Sequence, residues 1–327
     1  MSDRILVTGS AGHLGEALVR TLRAAGREVR GVDRVASPWT DVVASIVDRD
    51  AVARCMAGVG AVLHTATLHK PHVATHSRQD FVDTNITGTL NLLEAAAAGG
   101  VRAFLYTSTT STFGDALVPP EGAPAAWITE DVVPAPKNIY GVTKVCAEDL
   151  CALAHRNQGL TCLVLRTSRF FPEADDNPAA RGSYADANLK ATEYLYRRVD
   201  LEDVVDAHLC ALERAPALGF GRYIISATTP LRPEDAAELR RDAPAVLSRR
   251  VPGWQAAYTR LGWHMAPSLD RVYDNARARA DLGWRPRHDF AAVLARALDD
   301  GDIRSPLART IGAKGYHGDA HGYPVGG

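Results

Sequence analysis

The chain has 327 residues, 46% of them hydrophobic and 23% charged, with a formal net charge of -1. Such a length suits one large domain with a smaller one attached, and the near-neutral balance offers no footprint for nucleic acid or for an acidic membrane surface. No apolar run approaches the roughly 18 residues of a membrane span. The segment Met1 to Val7 lacks the basic stretch and apolar run of a secretory signal, so the expected compartment is the cytoplasm.

Residues 4–8 read as a short buried strand that runs into a Gly-rich turn, and Leu14, Ala17, Leu18 and Leu22 then recur at helical spacing. Val29 to Val32 give a second strand ending at Asp33, and Ala61 to His64 another, after a polar, Ala-rich segment containing Asp48 and Asp50. A single long helix is expected from about 79 to 98, a strand from 103 to 107, and an irregular connection from 116 to 137, where Pro119, Pro120, Pro124, Pro134 and Pro136 fall. Helix over 140–157 and strand over 162–166 follow. Beyond residue 170 the regularity weakens: 172–188 reads as turn-rich, 201–214 as helix and 222–226 as strand. The alternation predicts an α/β fold of the Rossmann type, a doubly wound parallel sheet with a smaller, discontinuous C-terminal domain. Residues 1–170 would form the dinucleotide-binding part, completed near 199–228, with 171–300 mainly for substrate and 301–327 as a loose tail.

The stretch Thr8-Gly9-Ser10-Ala11-Gly12-His13-Leu14-Gly15 sits between the first strand and the first helix. Gly9 suits a tight turn, Gly12 a close approach to a pyrophosphate, and Gly15 tight packing of the helix, whose N-terminus would face the phosphate charge. Asp33 stands where a carboxylate accepts both adenosine-ribose hydroxyls and repels a 2′-phosphate, which favours NAD. Arg34 beside it would suit a phosphate instead.

Tyr140 and Lys144, four residues apart at the start of a helix, share one face. A phenol near pKa 10 exchanges protons at neutral pH only where its phenolate is stabilised, and an adjacent cation supplies that field. Ser108, Thr109, Thr110 and Ser111 place hydroxyls at the carboxyl end of a strand, where such folds bind ligand. The cysteines Cys55, Cys146, Cys151, Cys162 and Cys210 show neither a CxxC pair nor zinc spacing and read as reduced, packed thiols. No metal is expected, and His317 and His321 in the tail are not read as ligands.

Taken together, the glycine run, Asp33, His64-x-Ala66, Asn85-x-x-Gly88-Thr89, Ser108-Thr109-x-x-x-Phe113-Gly114 and Tyr140-x-x-x-Lys144 resemble the extended short-chain dehydrogenase/reductase family, closest to its NAD-dependent nucleotide-sugar epimerases and dehydratases. The likeness continues through Leu165-Arg166, Asp203-Val204-Val205-x-Ala207-His208 and Leu282-Gly283-Trp284-x-Pro286. It implies Tyr140 as acid/base, Lys144 as its electrostatic partner and a ribose ligand, and Thr109 as the catalytic hydroxyl. It also implies a cofactor wall of Gly9, Gly12, His13, Leu14, Gly15, Asp33, Arg34, Ser45, Ile46, His64, Ala66, Thr67, Asn85 and Thr107. Ser108, Thr109, Thr110 and Arg169 are expected at the substrate. Three features depart from the family pattern. His69 takes the place of a common lysine, Thr110 and Ser111 replace the acidic pair of dehydratases, and Arg169 replaces an asparagine that touches the nucleotide-sugar phosphate.

These residues lead to an NAD-dependent epimerase of a sugar or nucleotide sugar, acting through a transient ketone. The alternatives are a net dehydrogenase or ketoreductase of a sugar or other secondary alcohol, and a cofactor-binding protein without turnover. Arg169, Arg197 and Arg198 are candidates for a phosphate or carboxylate. The resemblance also implies a homodimer joined through the helices near 80–98 and 140–157.

Overall fold

The computed structural model describes residues 4–175 and 178–315. The strands are β1 (Arg4–Thr8), β2 (Val29–Asp33), β3 (Val42–Val43), β4 (Val59–His64), β5 (Ala103–Thr109), β6 (Ala126–Ile128), β7 (Cys162–Thr167), β8 (Phe220–Ile225) and β9 (Arg271–Tyr273). The first helices are α1 (His13–Ala24), α2 (Arg49–Met56), α3 (Arg78–Phe81), α4 (Gly88–Ala98) and α5 (Ile139–Gln158). They are followed by α6 (Pro178–Ser183), α7 (Asp186–Glu193), α8 (Leu201–Leu218), α9 (Ala236–Leu239) and α10 (Ala243–Arg250). The last are α11 (Trp254–Leu261), α12 (Ala276–Asp281), α13 (Phe290–Asp300) and α14 (Pro306–Ile311).

Seven strands make one parallel sheet in the order β3-β2-β1-β4-β5-β7-β8. Both faces are covered, so the central strands are apolar throughout rather than alternating. Successive residues still point to opposite faces. Ile5, Val7, Leu63, Leu105, Leu163 and Leu165 pack with Leu14 and Leu18 of α1 and Val204, Ala207 and Ala211 of α8. Leu6, Val62, Phe104, Tyr106 and Val164 pack with Val52 of α2, Leu92 and Leu93 of α4, and Ala147 and Cys151 of α5. The strand order reverses between β1 and β4, and at such a switch point the loops diverge and leave a crevice at the carboxyl ends of the strands.

A third cluster joins Ala191 and Leu195 to Leu239, Val246, Trp254, Tyr258, Phe290 and Val293. This later part is docked onto α8 by the carboxylate of Asp203, which accepts from the backbone N–H groups of Arg287 and His288 at 2.9 Å each, and by Trp284, whose Nε1 donates to the Asp203 carbonyl at 3.1 Å.

Three local expectations are corrected. The helix from 79 to 98 is not regular: a wider π turn, Val82–Thr87, separates α3 from α4 around Asn85. The Pro-rich connection contains β6, whose three residues fall between prolines and pair in parallel with β9. The stretch from Gly301 is not loose as far as it is described. Ser305 caps α14, its hydroxyl and N–H held by Asp200, and Leu307, Ala308 and Ile311 pack into the α1 and α8 layer. His317 and His321 lie outside the described residues.

Candidate active site

A cavity of about 550 Å³ runs along the carboxyl ends of β1, β4, β5 and β7. At one end β1 gives way to the glycine turn. Gly9 has φ 75, and a Cβ there would stand 2.7 Å from the Ala66 nitrogen. A Cβ on Gly15 would come within 1.9 Å of the Gly9 carbonyl oxygen, whereas one on Gly12 would lie 3.3 Å from the same atom. Gly9 and Gly15 therefore set the tightness of the turn, and Gly12 caps α1 without a side chain over its N-terminal N–H groups. Leu14 lines the cavity, and the His13 ring is fixed by Glu173, its Nε2 2.8 Å from the carboxylate.

Asp33 is 8% exposed, and its two oxygens accept from the N–H groups of Ala11 and Val35 at 3.0 Å each. Burial raises its pKa while these hydrogen bonds pull the other way. Arg34, Ser45, Ile46, Ala66 and Thr67 line the same end, with Ile46 packed where a Cβ on Gly88 would sit, at 2.6 Å. A cradle that any side chain on Gly9 or Gly15 would obstruct, beside a carboxylate with lone pairs to spare, fits a dinucleotide.

His64 and Asn85 are placed beneath the cavity rather than in its wall. The two His64 nitrogens lie 2.8 Å from Thr8 Oγ1 and 2.9 Å from Thr89 Oγ1. Thr89 already donates its hydroxyl proton to the Asn85 carbonyl, so His64 Nε2 must be the donor and Nδ1 the acceptor. Burial holds its pKa down at about 3, and the ring stays neutral. Asn85 accepts from Leu68 N and Thr67 Oγ1 and donates to the Leu68 carbonyl and to Thr143 Oγ1. Both residues were expected as cofactor ligands. Their polar atoms instead fasten the loop after β4 to α4 and α5, which the irregular turn at Asn85 makes possible.

Deeper in, Tyr140 and Thr109 line the same stretch of the cavity, and the Thr109 side chain works against the rise in the Tyr140 pKa. Lys144 is 2% exposed, donates from Nζ to the Thr107 carbonyl at 2.6 Å and lies 4.1 Å from the centre of the Tyr106 ring. Burial pushes the Tyr140 phenol up to about 12 and Lys144 down to about 7, the latter opposed by Glu148 one turn on. The Thr107 hydroxyl is turned away, donating to His208 Nε2 at 2.8 Å while His208 Nδ1 donates to the Val204 carbonyl.

Of the expected substrate hydroxyls, Thr109 and Thr110 line the cavity. Ser108 also borders it, but its hydroxyl donates to Glu148 at 2.6 Å, inside a buried network with Arg166, and so is taken. Arg169 lines the cavity as expected, already paired with Asp175 and with Glu193 at 3.0 Å.

His69, read only as a departure, stands at the centre of this end. Its ring lies 6.3 Å from that of Tyr140 and 5.5 Å, edge-on, from Phe171. His69 N donates to His72 Nδ1 at 2.9 Å while the His72 N–H donates back to the His69 carbonyl at 3.0 Å, a reciprocal pair that fixes both residues around a short turn, Lys70–Ala74. Burial is the main reason its pKa falls well below the ordinary value. Phe171, Glu173 and Tyr273 complete this wall and carried no signal in the sequence beyond their residue type.

Comparison with known proteins agrees with this geometry. Residues 5–225 match the model of the NAD dependent epimerase/dehydratase family. A 3-beta-hydroxysteroid dehydrogenase of Mycolicibacterium neoaurum is 28% identical over 343 residues, covering 90% of each chain. A UDP-glucose 4-epimerase of Rhizobium meliloti is 27% identical over 335 residues, covering 90% of this chain and 96% of that one. Among solved structures, a short-chain dehydrogenase/reductase superfamily protein from Agrobacterium tumefaciens with bound NAD superposes with a TM-score of 0.67 at 24% identity, covering 94% of this chain and 99% of that one. With more than half of its length matched, the chain belongs to the NAD dependent epimerase/dehydratase family and is an NAD-dependent enzyme of the extended short-chain dehydrogenase/reductase type.

Proposed function

We propose that the chain oxidises a secondary alcohol of a sugar at Tyr140 and returns it as the epimer. The observation that carries this reading is that Tyr140, Thr109 and Lys144 line one cavity, with Lys144 Nζ fixed on the Thr107 carbonyl at 2.6 Å. Thr109 and Tyr140 together grip the substrate hydroxyl, and Tyr140 takes its proton. A phenol at about 12 is a weak partner for that proton unless positive charge stands close as it ionises, and Lys144 supplies it. NAD, when bound, supplies the hydride acceptor and donor. Gly9, Gly12, Leu14, Gly15, Asp33, Ser45, Ile46, Ala66 and Thr67 would hold it, with Lys144 at the nicotinamide ribose and Asp33 selecting against a 2′-phosphate. His69 and Phe171 close the reacting end against water, and the part after residue 171 embraces the substrate.

A net dehydrogenase is the second reading. The similarity to a hydroxysteroid dehydrogenase favours it, as does a run of histidine rings leading away from Tyr140, with centroids 5.8 Å apart from His69 to His72 and 5.1 Å from His72 to His76. A net oxidation releases one proton per turnover, which epimerisation does not, and such a run offers it a route. Purified protein incubated with NAD and a panel of free and nucleotide-linked sugars separates the two. A stereoisomeric product without accumulating NADH supports epimerisation, and NADH accumulating with one alcohol replaces it by dehydrogenation. No product and no reduced cofactor with any member would refute sugar oxidation.

The reading extends to assembly and location. Val142 and Leu153 of α5, each 42% exposed, give an apolar face on which a second copy would pair to form a homodimer. The thiols among the described residues are all free, which fits a reducing cytoplasm. No helix among the described residues is long and apolar enough to cross a membrane.

A further inference from the structure

The cavity that holds Tyr140 is also lined by four guanidinium groups, those of Arg169 after β7, Arg197 and Arg198 after α7, and Arg271 at the start of β9. Three of them converge on one carboxylate. Glu193 is 1% exposed and lies 3.0 Å from Arg169, 2.7 Å from Arg197 and 2.7 Å from Arg198. Burial alone would raise its pKa, yet the three cations hold it at about 2. Asp175 pairs with Arg169 and reaches Arg197 at 4.0 Å, while Arg271 holds Asp270 through two hydrogen bonds. Among the described residues, four guanidiniums thus face these three carboxylates. Two further carboxylates are placed otherwise: Glu16 pairs with Lys314 and Arg20, and Glu173 accepts from the Lys314 backbone N–H and lies against the His13 ring.

Among the described residues, the arginines of this wall therefore outnumber the carboxylates paired with them. The buried Arg197 Nε meets no acceptor among the described residues. A buried donor left in that state costs about 1–3 kcal/mol, and more for a charged group. The backbone keeps the wall together: Tyr273 N donates to the Tyr196 carbonyl at 3.0 Å, which draws β9 and Arg271 to Arg197, and Arg169 forms a bridge with Arg198. The wall is also near the reacting end. Thr109 pairs in register with Thr167, and Arg169 lies two residues further along, roughly 7 Å at strand spacing.

We propose that Arg197 and Arg271, backed by Arg169 and Arg198, form an anion subsite for a carboxylate or phosphate carried by the same substrate whose hydroxyl meets Tyr140. The substrate class is then a hydroxy acid or a phosphorylated alcohol of about sugar size, not a neutral alcohol. Either oxyanion matches the planar, two-pronged donor set of a guanidinium. The proposal rests on the reading that Tyr140 takes the proton of a substrate alcohol.

The test uses the full chain saturated with NAD, so that added anions cannot occupy the phosphate turn. Wild type, Arg197→Gln, Arg271→Gln and Arg197→Lys are titrated calorimetrically with glucose, glucuronate, glucose 6-phosphate and inorganic phosphate. Wild type should bind at least one of the two anionic sugars tenfold or more tightly than glucose, and which one identifies the group the site takes. Each Gln variant should lose that advantage by tenfold or more, and Arg197→Lys should recover part of it, with NAD affinity unchanged. Equal affinity for neutral and anionic sugars, Gln variants that bind anions as wild type does, or no anion binding by wild type at millimolar concentration would each overturn the subsite. Arginine-dependent binding without turnover of any sugar would leave the subsite standing and sink alcohol oxidation. Turnover of glucose by a protein that binds anions no better would do the reverse.

Discussion

A single methyl group at Gly15 tests how tightly the phosphate turn is built. The added Cβ would meet the Gly9 carbonyl oxygen at 1.9 Å, the Gly9 carbonyl carbon at 2.5 Å and Ser10 Cα at 2.9 Å. All three are backbone atoms that cannot rotate out of the way. Gly9 is itself pinned, donating to the Val32 carbonyl at 2.8 Å and accepting from Gly12 N at 3.0 Å. Gly15→Ala must therefore move α1 away from the turn by about 1 Å, an overpacking that typically costs about 1–3 kcal/mol. If that strain falls on the NAD-competent shape, affinity for NAD falls roughly 5- to 150-fold. At Gly12 the added Cβ would lie 3.3 Å from the same oxygen, which a few tenths of an ångström relieves. Gly12→Ala should accordingly keep the melting temperature within about 2 °C of wild type and weaken only NAD binding, whereas Gly15→Ala lowers both. Calorimetric titration with NAD and thermal melts of the three proteins decide the matter. A Gly15→Ala protein that melts and binds as wild type does would refute the cradle.

Asp33→Asn removes the carboxylate charge beside the adenosine ribose and should narrow the preference for NAD over NADP by at least about tenfold, measured as a ratio of dissociation constants. An unchanged ratio would assign selection to Arg34 or elsewhere. Lys144 is depressed to about 7 by burial against its ordinary 10.5. Between those values the unfolded chain holds a proton that the ligand-free fold has released, so stability should rise as pH increases from about 7 to 10.5. Lys144→Met should lose that component, seen as a flatter melting temperature across the same range; parallel curves would contradict it. Glu148 holds the Arg166 guanidinium, 3% exposed, through both oxygens. Glu148→Gln leaves that charge poorly matched in the core and should cost about 3–5 kcal/mol in chemical denaturation, and a loss below about 1 kcal/mol would count against the network.

The parts of the site that could be read from sequence are those where spacing alone fixes geometry. Three glycines between a strand and a helix, and a tyrosine and lysine one helical turn apart, each describe a local shape, and the structure gathers them around one cavity. The direction in which a polar side chain points is not local. His64 and Asn85 read as ligands from their motifs, yet Thr8, Thr89 and Thr143 from other elements claim their polar atoms. Ser108 and Thr109 are neighbours on β5, and only Glu148 on α5 decides that the first turns inward to a salt bridge while the second lines the cavity with Tyr140. Arg169 reads from the sequence as a phosphate or carboxylate ligand, and its partner Glu193, 24 residues away, is brought to it only by the fold. The three residues of β6 carry too little pattern to stand out among prolines, and they are a strand only because β9 pairs with them.

The central claim is that Tyr140, beside Thr109 and backed by Lys144, moves the proton of a substrate alcohol while the hydride goes to NAD. The direct test is a rapid-mixing experiment on NAD-loaded wild type and Tyr140→Phe with whichever sugar gives product, following near-ultraviolet absorbance of reduced nicotinamide and the stereochemistry of the sugar. Wild type should show reduced cofactor, transient for an epimerase and accumulating for a dehydrogenase, and Tyr140→Phe should be slower by about 10²–10⁴-fold with its NAD affinity unchanged. A Tyr140→Phe protein that forms reduced cofactor and product at the wild-type rate would contradict the account.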